Sequence, residues 1–227
     1  MIDWERQWRS AGIVAFVLAI IAFVLYGNQP KVGASADDLV SFFQGDRTRI
    51  LIATVIFCFA FLELLWFGAA LAAVLRDAGK GGWAAAATAS SAALGAVLFL
   101  RMAIRAALAF SIAGAGDAGV TSALADFGWV LSVVLSFPAA MFAMAGAFGL
   151  WRAQLISSRF FGIGVAVVIV VLLGGTTWAS DGFWAADGAY ANIAALVFYA
   201  WVAVISGLLV RCQSLSRAGD RVAVPAA

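Results

Sequence analysis

Six stretches of this chain are long and apolar enough to cross a bilayer, and that pattern bounds every fold the sequence can adopt. A membrane's hydrocarbon core is about 30 Å thick, so a spanning helix needs roughly 20 mainly apolar residues. The stretches lie near Ala11 to Tyr26, Arg49 to Leu75, Trp83 to Ile112, Leu124 to Trp151, Phe160 to Trp178 and Ala189 to Val210. Inside lipid no water satisfies backbone N–H and C=O groups, so segments of this length are expected to be helices. The fold predicted is an all-α, polytopic membrane helix bundle with six transmembrane helices. It forms a single integral membrane domain over residues 1–227, with a flexible cytoplasmic tail over 213–227. Composition agrees, because only 11% of the 227 residues are charged and 65% are hydrophobic, too little polar surface to cover a soluble particle.

The first stretch also has to be weighed as a signal peptide, since Ala34-Ser35-Ala36 has the small-x-small form of a cleavage site. Asp3 and Glu5 stand beside Arg6 and Arg9 in the leading segment, and the separation of Tyr26 from Ala36 is long for a cleavage region. The segment is therefore expected to be a retained helix. Orientation follows from the basic residues of the short loops, because a cytoplasmic excess of Lys and Arg sets topology. One set of ends carries Arg6, Arg9, Arg76, Lys80, Arg152, Arg159, Arg211, Arg217 and Arg221; the other carries only Lys31, Arg47 and Arg49. Both termini are thus expected in the cytoplasm. The outer loops are acidic, with Asp37, Asp38, Asp46, Asp117, Asp181 and Asp187, and Trp83, Trp151, Trp178 and Trp184 mark the two interfaces. Lys occurs only at Lys31 and Lys80, and the chain is rich in Ala, Gly and Val. That usage suggests a GC-rich genome and a bacterial cytoplasmic membrane.

Several functions are disfavoured by residue type. The chain has no histidine, which removes bis-imidazole haem ligation, His-based zinc sites and His general bases. Cys58 and Cys212 are too few and too far apart for a metal cluster. No metal and no cofactor are therefore expected. The net charge of +2 is dispersed, without the basic and aromatic patch of a nucleic-acid binder. An intramembrane enzyme is disfavoured too, because no Ser or Cys has an evident base beside it.

The run Gly45-Asp46-Arg47-Thr48-Arg49 opens a span that contains Phe61-Leu62-Glu63-Leu64-Leu65-Trp66. It is followed by Ala125-Asp126-Phe127-Gly128 and a Pro-bearing fourth span. From the second span onward the chain resembles a group of uncharacterised multi-span membrane proteins common in actinobacteria. The resemblance implies a six-helix fold and no known activity.

Function must then be sought in the charges that fall within the hydrocarbon. An ionisable side chain at the bilayer centre costs on the order of 2.5 to 3.5 kcal/mol by insertion scales, so such residues usually face the bundle interior and are paired or functional. Glu63 lies near the middle of the second span, and Arg101 and Arg105 lie in the third. Spacing of i and i+4 puts both guanidinium groups on one helix face. A short turn joins the two spans, and Glu63 and Arg101 fall within about a turn of the same depth, so they can pair. Three readings remain open: a structural strut, an Arg105 that snorkels to headgroups, or an outward-facing anion site with Glu63 below it.

Other polar residues share the outer half. Asp126 begins the fourth span, with Trp129, Ser132 or Val133, and Ser136 following at helical spacing. Pro138 sits just below, Gly174-Gly175-Thr176-Thr177 loosens the fifth span, and Asn192 enters the sixth. Small-xxx-small pairs at Ser91 and Gly95, Ala92 and Ala96, and Ala139, Ala143 and Ala147 permit close helix approach. The binding set expected is Glu63, Arg101, Arg105, Asp126, Ser136 and Asn192. The function expected is a small transporter or ligand- or lipid-binding protein that takes an anionic small molecule or lipid headgroup. The alternative is a non-catalytic accessory or scaffold subunit, working as a homo-oligomer or with a membrane partner, in which Glu63 and Arg101 are a strut.

Overall fold

The structure, a computed structural model, describes residues 4–222, with side chains from Gln7 to Cys212. Every regular element among the described residues is helical. In chain order these are α1 (Trp4–Tyr26), α2 (Ala36–Gly45), α3 (Arg47–Asp77), α4 (Gly81–Ala107), a π turn (Leu108–Ile112), α5 (Ala118–Val134), α6 (Ser136–Arg152), α7 (Ser158–Gly174) and α8 (Ala189–Val222).

Five helices are long and apolar enough to cross a membrane: α1, α3, α4 with its π turn, α5 continued by α6, and α8 as far as Cys212. The protein is a multi-pass membrane protein on that ground. The expected fifth span, Phe160 to Trp178, is instead the 17-residue helix α7, shorter than the others. It stops early because Gly174 and Gly175 pack beneath Ser136 and Phe137, and the chain then turns at Thr176. At a rise of about 1.5 Å per residue, α7 is roughly 25 Å long.

The expected fourth span is one apolar crossing from Ala118 to Arg152, interrupted only at Leu135, where α5 passes into α6. Pro138 has no N–H to give to Val134, and its ring crowds that carbonyl, so a new helix starts with the proline in its first turn. Helix α8 continues through Val222, and residues 223–227, the end of the stretch expected to be a flexible tail, lie outside the described residues.

Short turns fix the order of the helices. Between α3 and α4, Gly79 adopts φ 71°, and Lys80 N–H donates to the Leu75 carbonyl at 2.8 Å, which closes α3 in the left-handed cap that glycine favours. The packing then runs α1 on α3, α3 on α4, α4 on α6, α6 on α7, α7 on α8, and α8 back on α1. Six helices thus close a ring. Its closure brings the start of α1 beside the later turns of α8: Ser206 Oγ donates to the Arg9 carbonyl, and Arg9 Nη1 donates to Leu209 O at 3.3 Å. We call this end the terminal half. The opposite end, where α2, the π turn and α5 gather, is the loop half.

Each half has its own apolar core. The larger one runs through the ring, with Phe67, Leu71, Phe142, Leu150, Trp201 and Ile205 buried in it. A smaller cluster in the loop half joins Tyr26, Leu39, Phe43, Ile50, Ile104 and Leu131. Helix α2 seals that cluster by turning Leu39 and Phe43 inward, and its first turn is capped by Ser35, which accepts from Asp38 N–H at 3.1 Å. The outside of the ring is as apolar as the inside: Val24, Phe59 and Phe110 are each more than half exposed. Lipid is the medium that suits such a surface.

Candidate arginine site in the loop half

Arg101 and Arg105 sit on α4 in the last turns before the π turn. The i, i+4 spacing puts them on one face, as expected, and that face looks into the bundle. Arg105 donates through Nη2 to Gln29 Oε1 at 2.8 Å, and its guanidinium lies 4.4 Å from the centre of the Tyr26 ring, a cation–π distance. Arg101, one turn deeper, is close enough to Arg105, Tyr26 and Tyr199 to interact electrostatically with each. Tyr199 belongs to α8, so the arginine face reaches across the ring.

Neither arginine meets a carboxylate. The ion pair found among the described residues joins Arg49 to Asp46, and the expected pair of Glu63 with Arg101 does not form. The reason is rotational. Helix α3 meets α4 through Phe61, Leu65 and Gly68: the Phe61 ring is 6.0 Å from that of Phe99, Leu65 covers Gly95, and Gly68 covers Ser91. Glu63 is two residues from both Phe61 and Leu65, or about 200° around the helix. Its depth is right and its face is wrong. The carboxyl is half-buried on the far side of α3, along the rim where Phe59, Leu62 and Trp66 are exposed.

Two buried polar atoms beside the arginines lack a partner, Arg101 Nε and Tyr26 Oη. Tyr26 is only 4% exposed, so its hydroxyl has no solvent to fall back on, and an unmade hydrogen bond of this kind costs about 1–3 kcal/mol. A cavity of about 30 Å³ adjoins Tyr26, lined on its polar side by Tyr26, Gln29 and Arg105 and on its apolar side by Leu39, Phe43 and Trp129, while Arg101 lies one turn deeper, outside its lining. Leu108, first residue of the π turn, completes one wall. The π turn there is real in its bonding, with Ala113 N–H donating back to Leu108 O at 3.2 Å. Such turns widen a helix locally and recur at functional sites.

The other expected site residues are dispersed. Asp126 lies on α5, whose Ala125, Gly128 and Trp129 line the cavity, but it is one residue round from that face and exposed. Ser136 stands at the start of α6 against Gly174 of α7. Asn192 is exposed in the first turn of α8 and donates to the Gly188 carbonyl at 3.1 Å, a local bond that steadies the preceding loop. Ser132 back-bonds to Gly128 O at 2.9 Å, the ordinary use of a helical serine. Of the expected set, Arg101 and Arg105 come together, and Glu63, Asp126, Ser136 and Asn192 do not join them.

Sequence reasoning missed Tyr26, Gln29 and Tyr199. The first two were findable, because a tyrosine ending an apolar span, followed by Gly27-Asn28-Gln29-Pro30, places polar groups at the depth of Arg105. Tyr199 carries no such mark, being one aromatic among many in α8. Among the described residues no three Cys, Asp or Glu side chains gather as a metal site requires. No protein-family model, no curated protein and no solved structure matches the chain.

Proposed function

We propose that this chain is a small transporter or ligand-binding protein of the bacterial cytoplasmic membrane that takes an anionic ligand at Arg101 and Arg105. In this reading α7 is the sixth crossing, since it runs alongside α6 and closes the ring with α8. Both termini then lie on one side, the cytoplasmic one by the bias of Lys and Arg, and the arginine face opens outward. The observation that carries the reading is a pair of interior guanidinium groups with no acid to neutralise them, next to a buried phenol with no partner. Like charges at i, i+4 repel, so a bundle that retains both in low dielectric has a use for the excess positive charge.

Titration calorimetry of the purified protein with a panel of anions tests this. Saturable binding of one anion class is expected, lost in Arg101→Gln and Arg105→Gln and kept in Arg76→Gln, which changes an exposed arginine at the other end. Equal binding by all four proteins, or none by the native chain, contradicts it.

A second reading, an accessory subunit that associates laterally, has one observation in its favour. Glu63 is half-buried without an ion pair among exposed Phe59, Leu62 and Trp66, a place where a neighbouring helix could present a donor. Mass measurement in mild detergent decides it: a strictly monomeric particle with nothing bound counts against lateral association.

A further inference from the structure

The donors around the arginine pair are specific enough to name the class of anion, an inference that rests on the site reading above. The backbone positions of Arg101 and Arg105 stand about 6 Å apart along α4, at the rise of four helical residues, and both carry their guanidinium forks on one face. Tyr26, the last residue of α1, sets its ring against Arg105 and adds a hydroxyl without a hydrogen-bond partner. Every one of these groups donates. A carboxylate has two oxygens whose acceptor sites all lie in one plane, so one guanidinium fork takes its favoured pair and a second fork and a phenol are left the outer lone pairs of that same plane. A halide is a single point and satisfies no fork. A phosphoryl group sets its oxygens out as a tetrahedron rather than in a plane, two anionic and two ester oxygens in a phosphodiester and four in free phosphate, so acceptors can face two guanidiniums and a hydroxyl at once.

We infer that Arg101, Arg105 and Tyr26 form a phosphoryl-binding site, for the headgroup of a phospholipid or for free phosphate. Arg105 bears on the exposed oxygens, Arg101 on the deepest, and Tyr26 Oη, 96% of whose residue surface is covered as its 4% exposure implies, supplies the third donor. Gln29 holds the place of the ligand. Its amide oxygen accepts from Arg105 at 2.8 Å, as a phosphoryl oxygen would, and it sits in the non-helical segment after Gly27, whose φ of 75° ends α1. Release of that one bond lets Gln29 swing away and enlarges the cavity of about 30 Å³, which otherwise suits a single water. The apolar wall of Leu39, Phe43 and Trp129 accommodates the ester side of a lipid. The level is right for a headgroup too, because Arg105 lies beside the end of α1.

The test uses the full chain in phosphate-free maltoside. The probes are inorganic phosphate, short-chain phosphatidylglycerol, and acetate and chloride at matched ionic strength. The readouts are the thermal midpoint and the apparent Kd. Phosphate, phosphatidylglycerol or both should raise the midpoint saturably, while acetate and chloride do not. Protection by the lipid alone, by phosphate alone or by both supports the inference and identifies the source. Arg101→Gln and Arg105→Gln should each weaken binding about tenfold or more, as loss of a charge-assisted bond does. Should either fail to fold, Tyr26→Phe carries the test: it removes a hydroxyl that has no protein partner, so the unliganded midpoint holds while the Kd rises about three- to tenfold. Acetate or chloride protecting as well as phosphate, in an Arg-dependent way, overturns the phosphoryl inference and leaves an anion site standing. Absence of any Arg-dependent anion effect overturns both.

Discussion

The two halves of the ring differ in how their polar groups are met. Glycine contacts are short in both, since a Cβ on Gly68 would stand 2.6 Å from Ser91 Cβ and one on Gly164 2.6 Å from Ala147 Cβ in the terminal half, and one on Gly175 2.8 Å from Phe137 Cζ where α7 ends. The polar groups of the terminal half are consumed, as in the bonds between Ser206, Arg9 and Leu209. The loop half has a broken helix at Leu135, a π turn, a cavity and two buried polar atoms with no partner. One end is built for closure and the other holds unmet hydrogen-bonding capacity, which is why the ligand site is proposed in the loop half.

The largest effect should come from breaking the terminal half. Gly68→Val forces a side chain into Ser91, and overpacking of this kind typically costs 1–3 kcal/mol; with a contact this short we expect about 3 kcal/mol, read as a fall in the detergent melting midpoint. An effect much under about 1 kcal/mol would mean that the terminal half yields at this contact.

The opposite sign is expected in the loop half. Arg101→Met replaces an unpaired interior cation by an apolar chain of similar reach, and should raise stability by about 2 kcal/mol in anion-free detergent, given the cost of burying such a charge. A strut would respond with a loss of about 3–5 kcal/mol.

Smaller is the change at Tyr26. Removing an unsatisfied buried hydroxyl is neutral or stabilising, so Tyr26→Phe should shift unliganded stability by between zero and about +1 kcal/mol. A loss of more than about 1 kcal/mol would show that the hydroxyl has a partner. The smallest effect is at Glu63. Glu63→Gln and Arg101→Met should combine additively within about 0.5 kcal/mol, as sites without a shared partner do, and a larger coupling in this double-mutant cycle would restore the ion pair.

The comparison also explains how far the sequence could be read. The expected Arg49–Leu75 and Trp83–Ile112 lie inside α3 and inside α4 with its π turn, because length and apolarity alone decide where a span can be. In the long loop after α1, Leu39 and Phe43 turn inward on α2, a helix too short for its length and apolarity to mark it as a span. Helix rotation was not legible. In a soluble helix an apolar stripe marks the core side, but here Phe59 and Leu62 face out while Phe61 and Leu64 face in, and all four are apolar. Without a stripe, Glu63 and Arg101 could be matched in depth and not in direction. The i, i+4 relation of Arg101 and Arg105 survived because it depends on helical geometry alone.

Arg101→Met and the native protein, melted side by side without and with saturating phosphate or phosphatidylglycerol, separate an anion site from a structural arginine. A bound anion at about 100 times its Kd adds roughly 2.7 kcal/mol to the state that binds it. A reversal of order is expected: the variant melts higher without the anion, and the native chain melts higher, or catches up, once the anion is present. If Arg101→Met melts lower under both conditions and neither protein responds to the anion, the arginine is a structural element and the loop half holds no anion site.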